Sequence, residues 1–544
     1  MAQRDGPATK WRQVGPLLAL ALIGGVALKM ALLARDAISF NADEAVVALM
    51  ARHILQGERP LFFYGQAYMG SLDAYLVAAA FRFLGERVLA IRLVQVALFA
   101  AFLATSYPVA LRLTSSRHTA ALVVLLLAFP PVLLTLYTTA SLGGYGEALV
   151  AGNLLLWWGH RLGSEDTRRW GLWLAWGLAA GLGFWAMGLT LVYLAPVALW
   201  LLLRLRTRPW PGYLLAALGF VAGSLPWWLG NLSQIDVGLA ELLGTAIRST
   251  ATAGSPAGNV AARAFNFVVL GLPAIFGLRF PWSVEGPPLW LAVPVLALYL
   301  GALAYGLRRS LSRSPSTGAS RPIYSSTQPL LWGICVTLFL GFVLTPFGGD
   351  PSGRYFLPLY LPLFILTAEA LTALREQVGP WAWVLLGVTL AFNLTGTVQA
   401  ASTNPPGITT QFEAITQVDH RYDAKLMDFL RAHDGTRGYA NYWVAYPIAF
   451  LSHEEIILVP HLPYKADLRY TPRDDRYAPY GEWVEDSPTA VYVTTNHPLL
   501  DGLLREGFTS LGVDFRETQI GSYHVFYDFS RKVSPDELSL PWQE

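Results

Sequence analysis

The sequence predicts a polytopic α-helical membrane protein of about eleven spans, with a small α/β domain at its C-terminus. Three observations carry that reading. The 544 residues are 54% hydrophobic and only 14% charged, with a mean hydropathy of +0.40, whereas soluble domains carry about 25% charged residues. The apolar residues gather into eleven stretches near the length a bilayer requires, roughly 20 residues. The charge is also segregated along the chain. Residues 405–544 hold 12 basic and 21 acidic side chains, a net −9, and residues 1–404 hold 27 and 16, a net +11. The change falls at Asn404-Pro405-Pro406-Gly407, residue types that stop helices. The expected domains are therefore 1–404 in the membrane and 405–544 outside it.

Composition excludes several classes. A formal net charge of +2 argues against a nucleic-acid partner, whose binding draws on counterion release by many cations. A single cysteine, Cys335, rules out an intramolecular disulfide and any multi-cysteine metal site. The nine histidines show no H-E-x-x-H spacing, and there is neither a G-x-x-x-x-G-K-[ST] phosphate loop nor a dinucleotide fingerprint. No nucleotide cofactor is expected.

The expected spans are 15–34, 88–111, 119–137, 141–159, 170–187, 189–203, 211–230, 287–307, 329–347, 355–374 and 380–399. The first follows a basic N-terminus, but it is long for a signal core and no A-x-A site follows, so it reads as an uncleaved anchor. Lys29, near its outer end, is expected to snorkel to the interface. Two further runs, 69–84 and 264–282, contain Asp73 and Arg82 and Arg279 respectively, and read as interfacial or re-entrant. With the N-terminus cytoplasmic, the inner loops collect 16 cations against four acids, the bias that cytoplasmic loops show. Counting either ambiguous run as a span would place later arginine clusters outside. The first loop, about 36–87, and the C-terminal domain then lie on the extracytoplasmic side of the membrane. No repeat relates the two halves.

In the tail, Gly438–Trp443 and Ile456–Pro460 read as strands flanking a helical run, Val444–His453. Ala490–Thr494 followed by Pro498–Glu506 repeats strand then helix, and Ser522–Phe529 alternates as a closing strand.

Three polar clusters fall on the outer side. Phe40-Asn41-Ala42-Asp43-Glu44 opens an amphipathic segment that runs to Gly57. Asn41 can cap that helix, with Glu44 completing a capping-box pattern. Acids are welcome in a first helical turn, and a carboxylate held partly desolvated at a membrane surface can equally act as a base. The second cluster, Tyr137 to Glu147, contains Gly143-Gly144-Tyr145-Gly146. A carboxylate at membrane depth is costly and marks function, although Glu147 can also serve a helix cap or an interhelical hydrogen bond. The third, Phe347 to Pro358, holds Asp350, Arg354 and Tyr355. An interfacial arginine is a natural phosphate ligand, because its planar fork meets two oxygens at once; a lone arginine also serves lipid headgroups. The stretch Tyr64-Gly65-Gln66-Ala67-Tyr68 to Tyr75 adds aromatics with Gln66 and Ser71, which fit a membrane interface or a polyhydroxylated ligand.

This layout resembles the GT-C superfamily of membrane glycosyltransferases. It is most similar to glycosyltransferase family 39 and the bacterial mannosyl- and aminoarabinose-transferase-like proteins. The likeness covers residues 10–400 as architecture, with motif support at Asp43-Glu44, Tyr64–Tyr75 and Arg354-Tyr355. The resemblance implies an inverting transfer from a polyprenyl-phosphate sugar to a hydroxyl of a glycan, lipid or protein acceptor at the extracytoplasmic face. It makes Asp43 the base that deprotonates the acceptor, with Glu44 beside it. It gives Arg354 and Tyr355 the donor phosphate. Glu147, with looser spacing, matches the second acidic position, and Tyr145 and Asp350 are further candidates for that substrate site. Tyr64, Gln66 and Tyr68 are candidates for acceptor or sugar contact. Some relatives use a divalent metal and others do not. The competing expectation is a transporter or lipid flippase, with Glu147 and Arg354 lining a substrate path.

Overall fold

The computed structural model describes residues 7–165, 167–232, 235–242, 256–311, 328–403 and 407–538. The junction residues Asn404, Pro405 and Pro406, and the expected inner-loop cations Arg4, Arg313 and Arg321, lie outside the described residues. The bundle begins with α1 (Pro7–Ala34), and α2 (Ala42–Gln56) and α3 (Leu72–Leu84) follow within the first loop. It continues as α4 (Val88–Thr114), α5 (Arg117–Ala128), α6 (Val132–Tyr137), α7 (Tyr145–Ser164), α8 (Trp170–Ala186), α9 (Leu191–Leu205), α10 (Trp210–Gly223) and α11 (Leu225–Asn231). After α12 (Ile235–Leu242), α13 (Pro256–Asn266) and α14 (Leu272–Ile275) come the long helices α15 (Leu289–Leu311), α16 (Gln328–Leu344), α17 (Tyr360–Val378) and α18 (Trp381–Thr403).

Helix ends alternate between two layers. One layer is marked by the Arg112–Glu165 ion pair, by Arg204 Nε donating to the Gly163 carbonyl at 2.5 Å, and by Arg309 paired with Glu369 at 2.8 Å. The other is marked by the Met69–Met187 bridge, the contact of Gly230 with the Phe62 ring, and the connector between α16 and α17. Eleven traverses run between these layers among the described residues: α1, α4, α5–α6, α7, α8, α9, α10–α11, α15, α16, α17 and α18. Six of them contain helices long and apolar enough to cross a membrane, as is the segment Gly258–Ile275; α10 and α11, bent by 60°, add one if counted together. The expected span 119–137 is broken at Pro130-Pro131 into two short helices, because proline cannot donate the helical hydrogen bond.

Gly258–Ile275 has the composition of a span but runs along one layer. Asn266 donates to the Gly348 carbonyl, Gly271 abuts the Phe356 ring, and the arginine that follows, Arg279, donates to the Pro351 carbonyl. All three partners belong to the single connector between α16 and α17. Lys29 departs from expectation. It does not reach an interface but is fully buried against α5–α6, donating to the Thr135 carbonyl and Thr138 Oγ1, both at 2.7 Å. Packing of α1 on α5–α6 closes the snorkelling route, and these oxygens take the place of water.

The first loop folds as a wedge. Helix α2 is buried over most of its length. Strands β1 (Phe62–Phe63) and β2 (Gln66–Gly70) form an antiparallel hairpin turned at Gly65, whose φ of +70° favours glycine. Asn41 caps α2 as its sequence suggests, its Oδ1 accepting from the Glu44 amide at 3.1 Å. The other half of the capping box does not form. Glu44 instead takes Arg92 of α4 through Nε and Nη2, both at 3.1 Å, in full burial. A bidentate charge-assisted pair outcompetes a neutral amide for a carboxylate.

The C-terminal region builds a five-stranded sheet from β3 (Arg437–Ala440), β4 (Ile457–Val459), β5 (Val491–Thr495), β6 (Arg516–Ile520) and β7 (Tyr523–Tyr527), ordered β4-β3-β5-β7-β6. The first three strands are parallel, and β7 and β6 pair antiparallel. Helices α19 (Asp423–Ala432), α20 (Tyr442–Leu451), α21 (Pro479–Glu485) and α22 (Pro498–Ser510) accompany the sheet. The region grips the wedge. Arg52 of α2 donates to the Phe450 carbonyl at 3.1 Å, and His53 Nε2 lies 2.9 Å from Glu454 Oε1.

Removing one member of the Glu44–Arg92 pair leaves the other charge buried, at a cost of about 3–5 kcal/mol. Arg92→Ala should therefore lower the thermal midpoint of the detergent-solubilised protein sharply, while Arg112→Ala, at a partly exposed pair, should move it little.

Candidate active site

Two capped helix starts face each other. Asn41 begins α2 and presents Asp43 in its first turn; Asn441 begins α20, accepting from the Trp443 amide at 3.0 Å, and presents Tyr442 and Trp443. The Tyr442 hydroxyl donates to Asp43 Oδ1 at 2.6 Å across 399 residues of sequence. Asp43 Oδ2 accepts no hydrogen bond among the described residues. One carboxylate oxygen is thus anchored and the other is open for a proton.

Arg354 comes from the opposite wall. Gly353, at φ +86°, starts the short turn Arg354–Leu359 that leads into α17. Its guanidinium pairs with Asp350 at 2.6 Å, donates to the Tyr355 hydroxyl at 3.2 Å and lies 5.0 Å from that ring's centre. Its Nε is buried and has no partner among the described residues.

Asp43 and Arg354 line the same two cavities. The larger, about 430 Å³, is also bounded by Tyr137, Asp350, Trp443 and Lys465. The smaller, about 180 Å³, is bounded by Tyr68, Tyr145, Asp474 and Arg476. Beside them an apolar groove of about 240 Å³ runs between α9 and α16, with Leu191 and Phe342 in its walls and Tyr68 and Tyr355 at its polar end. Tyr68 borders both the groove and the smaller cavity.

Of the residues singled out from sequence, Asp43, Arg354, Tyr145, Asp350, Gln66, Tyr68 and Tyr355 come to these spaces. Three do not. Glu44 is turned into its pair with Arg92. Tyr64 donates to Glu58 Oε2 at 2.6 Å and stacks on Tyr477 with ring centres 4.9 Å apart. Glu147 is buried away from the cavities and faces Asp73, which accepts from Ser141 Oγ at 2.5 Å and from Gln95 Nε2 at 2.9 Å. Burial pushes the Asp73 carboxyl above the usual carboxylate range. The glycines ahead of Glu147 serve packing: a Cβ on Gly144, at φ +69°, would lie 2.6 Å from the Ala186 carbonyl oxygen.

The C-terminal region supplies what sequence reasoning missed: Tyr442, Trp443, Tyr464, Asp474 and Arg476. Arg476 lies 5.2 Å from the Tyr442 ring centre. Oriented as its neighbours demand, the Gln66 amide oxygen accepts from both of that arginine's terminal nitrogens, at 2.7 and 2.8 Å. Burial pushes the Asp474 carboxyl up to about 6. The available signal was an asparagine able to cap a helix start in both places, Asn41-Ala42-Asp43 and Asn441-Tyr442-Trp443. Among the described residues, no three His, Cys, Asp or Glu side chains gather as a metal ion would need.

With this geometry in hand, the chain can be set beside known proteins. Its fold is shared with solved structures of ArnT and of an archaeal oligosaccharyltransferase. ArnT from Cupriavidus metallidurans bound to undecaprenyl phosphate aligns at a TM-score of 0.58 and 13% identity, covering 96% of this chain and 99% of that one. The archaeal oligosaccharyltransferase AglB from Archaeoglobus fulgidus, in complex with an inhibitory peptide and a dolichol-phosphate, aligns at 0.52 and 14% identity, covering 98% of this chain and 75% of that one. These likenesses show the fold alone and do not single out family 39. No protein-family model and no curated protein sequence matches the chain.

The raised Asp474 carboxyl sets a pH signature. An unfolded aspartate titrates near about 3.9, so the folded protein holds this proton more tightly, and that stabilisation is lost as pH rises from about 4 to about 6. Relative to Asp474→Asn, the wild type should lose roughly 2–3 kcal/mol over that window and then level off. Thermal unfolding of both proteins across pH 4–8 checks this, and a constant difference would contradict the assigned burial.

Proposed function

We propose that the chain is a glycosyltransferase that moves a sugar from a polyprenyl-phosphate carrier to an acceptor hydroxyl, with inversion, at the extracytoplasmic face of a bacterial inner membrane. Its N-terminus is cytoplasmic, and residues 405–544 are an extracytoplasmic domain that completes the site. The observation that carries the reading is that Asp43 and Arg354 share both cavities, next to an apolar groove between two bundle helices.

The chemistry follows from what each group can do. The prenyl chain lies in the α9–α16 groove, which brings the phosphate to its polar end at Tyr68 and Tyr355. Arg354, with an unpartnered Nε and a planar fork, meets the phosphate oxygens. Asp43 Oδ2 takes the proton of the acceptor hydroxyl while Tyr442 holds Oδ1, keeping the carboxylate oriented. The acceptor oxygen forms its bond to the anomeric carbon on the face away from the phosphate, and the bond from that carbon to the phosphate oxygen breaks. The bonding pair leaves on the polyprenyl phosphate, whose growing negative charge Arg354 stabilises. One base suffices, because a phosphate paired with arginine leaves without being protonated. Glu44 has no part in this chemistry; it fixes the helix that carries Asp43.

Positioned bases contribute about 10²–10⁴-fold. Asp43→Asn should lower kcat by about that factor with donor binding retained, measured with purified protein and a panel of polyprenyl-phosphate sugars. Full activity in the variant would overturn the mechanism. Movement of donor lipid across proteoliposomes with no new glycosidic bond would favour a flippase.

A further inference from the structure

We infer that the 430 Å³ cavity is an acceptor subsite and that the acceptor is a soluble glycan entering from the aqueous side. This rests on the glycosyltransferase reading above, and names the substrate class that reading leaves open.

Two spaces of opposite character lead to the reacting pair. The α9–α16 groove is apolar, and its wall helices are built for hydrocarbon. The larger cavity is about 430 Å³, within the roughly 300–1,000 Å³ of small-molecule sites. It is walled by the connector before α17 and by the segment 410–416 that leads into the C-terminal region. Its mouth lies at Phe412 and Glu413, both exposed, and its walls carry an amide (Gln411), a hydroxyl (Ser352), a carboxylate (Glu413) and an ammonium (Lys465). A lipid acceptor would have to drag its chains past these groups, and burying them against hydrocarbon is costly.

The interior has what a sugar needs. Trp443 and Tyr464 form an aromatic wall, with ring centres 6.0 Å apart, at the same place as Asp43. Aromatic faces pack against the C–H faces of a pyranose, and neighbouring amides and carboxylates bond its hydroxyls.

Full-length protein in nanodiscs, titrated calorimetrically with soluble tetrasaccharides of glucose, mannose, galactose and N-acetylglucosamine, tests this. At least one should bind, and Trp443→Leu, which removes the aromatic face, should weaken that binding about tenfold. In the transfer assay the same variant should raise the acceptor KM while leaving the donor KM unchanged, Trp443→Tyr, which keeps an aromatic face, should restore it, and the product should partition into the aqueous phase. Failure of every tetrasaccharide to bind overturns the inference. Transfer only to a lipid or to a serine-containing peptide overturns it too, while leaving the glycosyltransferase reading intact. Trp443-dependent glycan binding without transfer from any polyprenyl-phosphate sugar supports the subsite and overturns the reading instead.

Discussion

The hydrogen bond from Tyr442 to Asp43 is the point on which the rest of the site depends. It joins the first helix of the first loop to the first helix after β3, and so couples the membrane bundle to the C-terminal sheet. A carboxylate near a bilayer has few partners that leave it both charged and usable. Here a phenol takes one oxygen, and the other faces space. Everything around that contact holds it in place. Asn41 and Asn441 fix the two helix starts, and Glu44–Arg92 ties α2 to α4. Arg52 and His53 lock the far end of α2 against Phe450 and Glu454.

The arrangement divides labour by solvent. Apolar helices α9 and α16 leave a groove suited to a prenyl chain, and the aqueous side contributes amides, charges and aromatic rings. Arg354 stands between the two, already paired with Asp350. That pairing lowers the cost of keeping a buried guanidinium, the group that the proposed function gives to the donor phosphate.

Much of the fold was legible because hydrophobicity is read locally. Span-length apolar runs and the charge asymmetry gave the bundle, short apolar runs gave β3, β4 and β5, and alternation gave β7. What escaped was either broken by local chemistry or set by distant partners. Pro130-Pro131 splits one expected span, whereas Arg279 marked the run 264–282 as one that need not cross, and Gly258–Ile275 lies along a layer. Strand β6, Arg516-Glu517-Thr518-Gln519-Ile520, is an exposed polar edge with no apolar face to announce it. In the site, Asp43 and Arg354 were visible because charges are rare in such sequence. Lys29 was visible too and was misplaced, since its burial depends on a helix pair more than 100 residues away. Glu44 and Glu147 look like Asp43 in sequence; only the positions of Arg92 and Asp73 separate buried structural carboxylates from the one that faces a cavity. Asp474 and Arg476 sit in a charged loop where nothing local distinguishes them from surface.

If Asp43 and Arg354 serve one site, with lipid entering on one side and acceptor on the other, a structure of the protein in nanodiscs with a polyprenyl phosphate bound will show it. The phosphate should lie within hydrogen-bond reach of Arg354, the prenyl chain between α9 and α16, and Asp43 should be open toward the position of the sugar. A phosphate held elsewhere, with the α9–α16 groove empty of lipid, would contradict it.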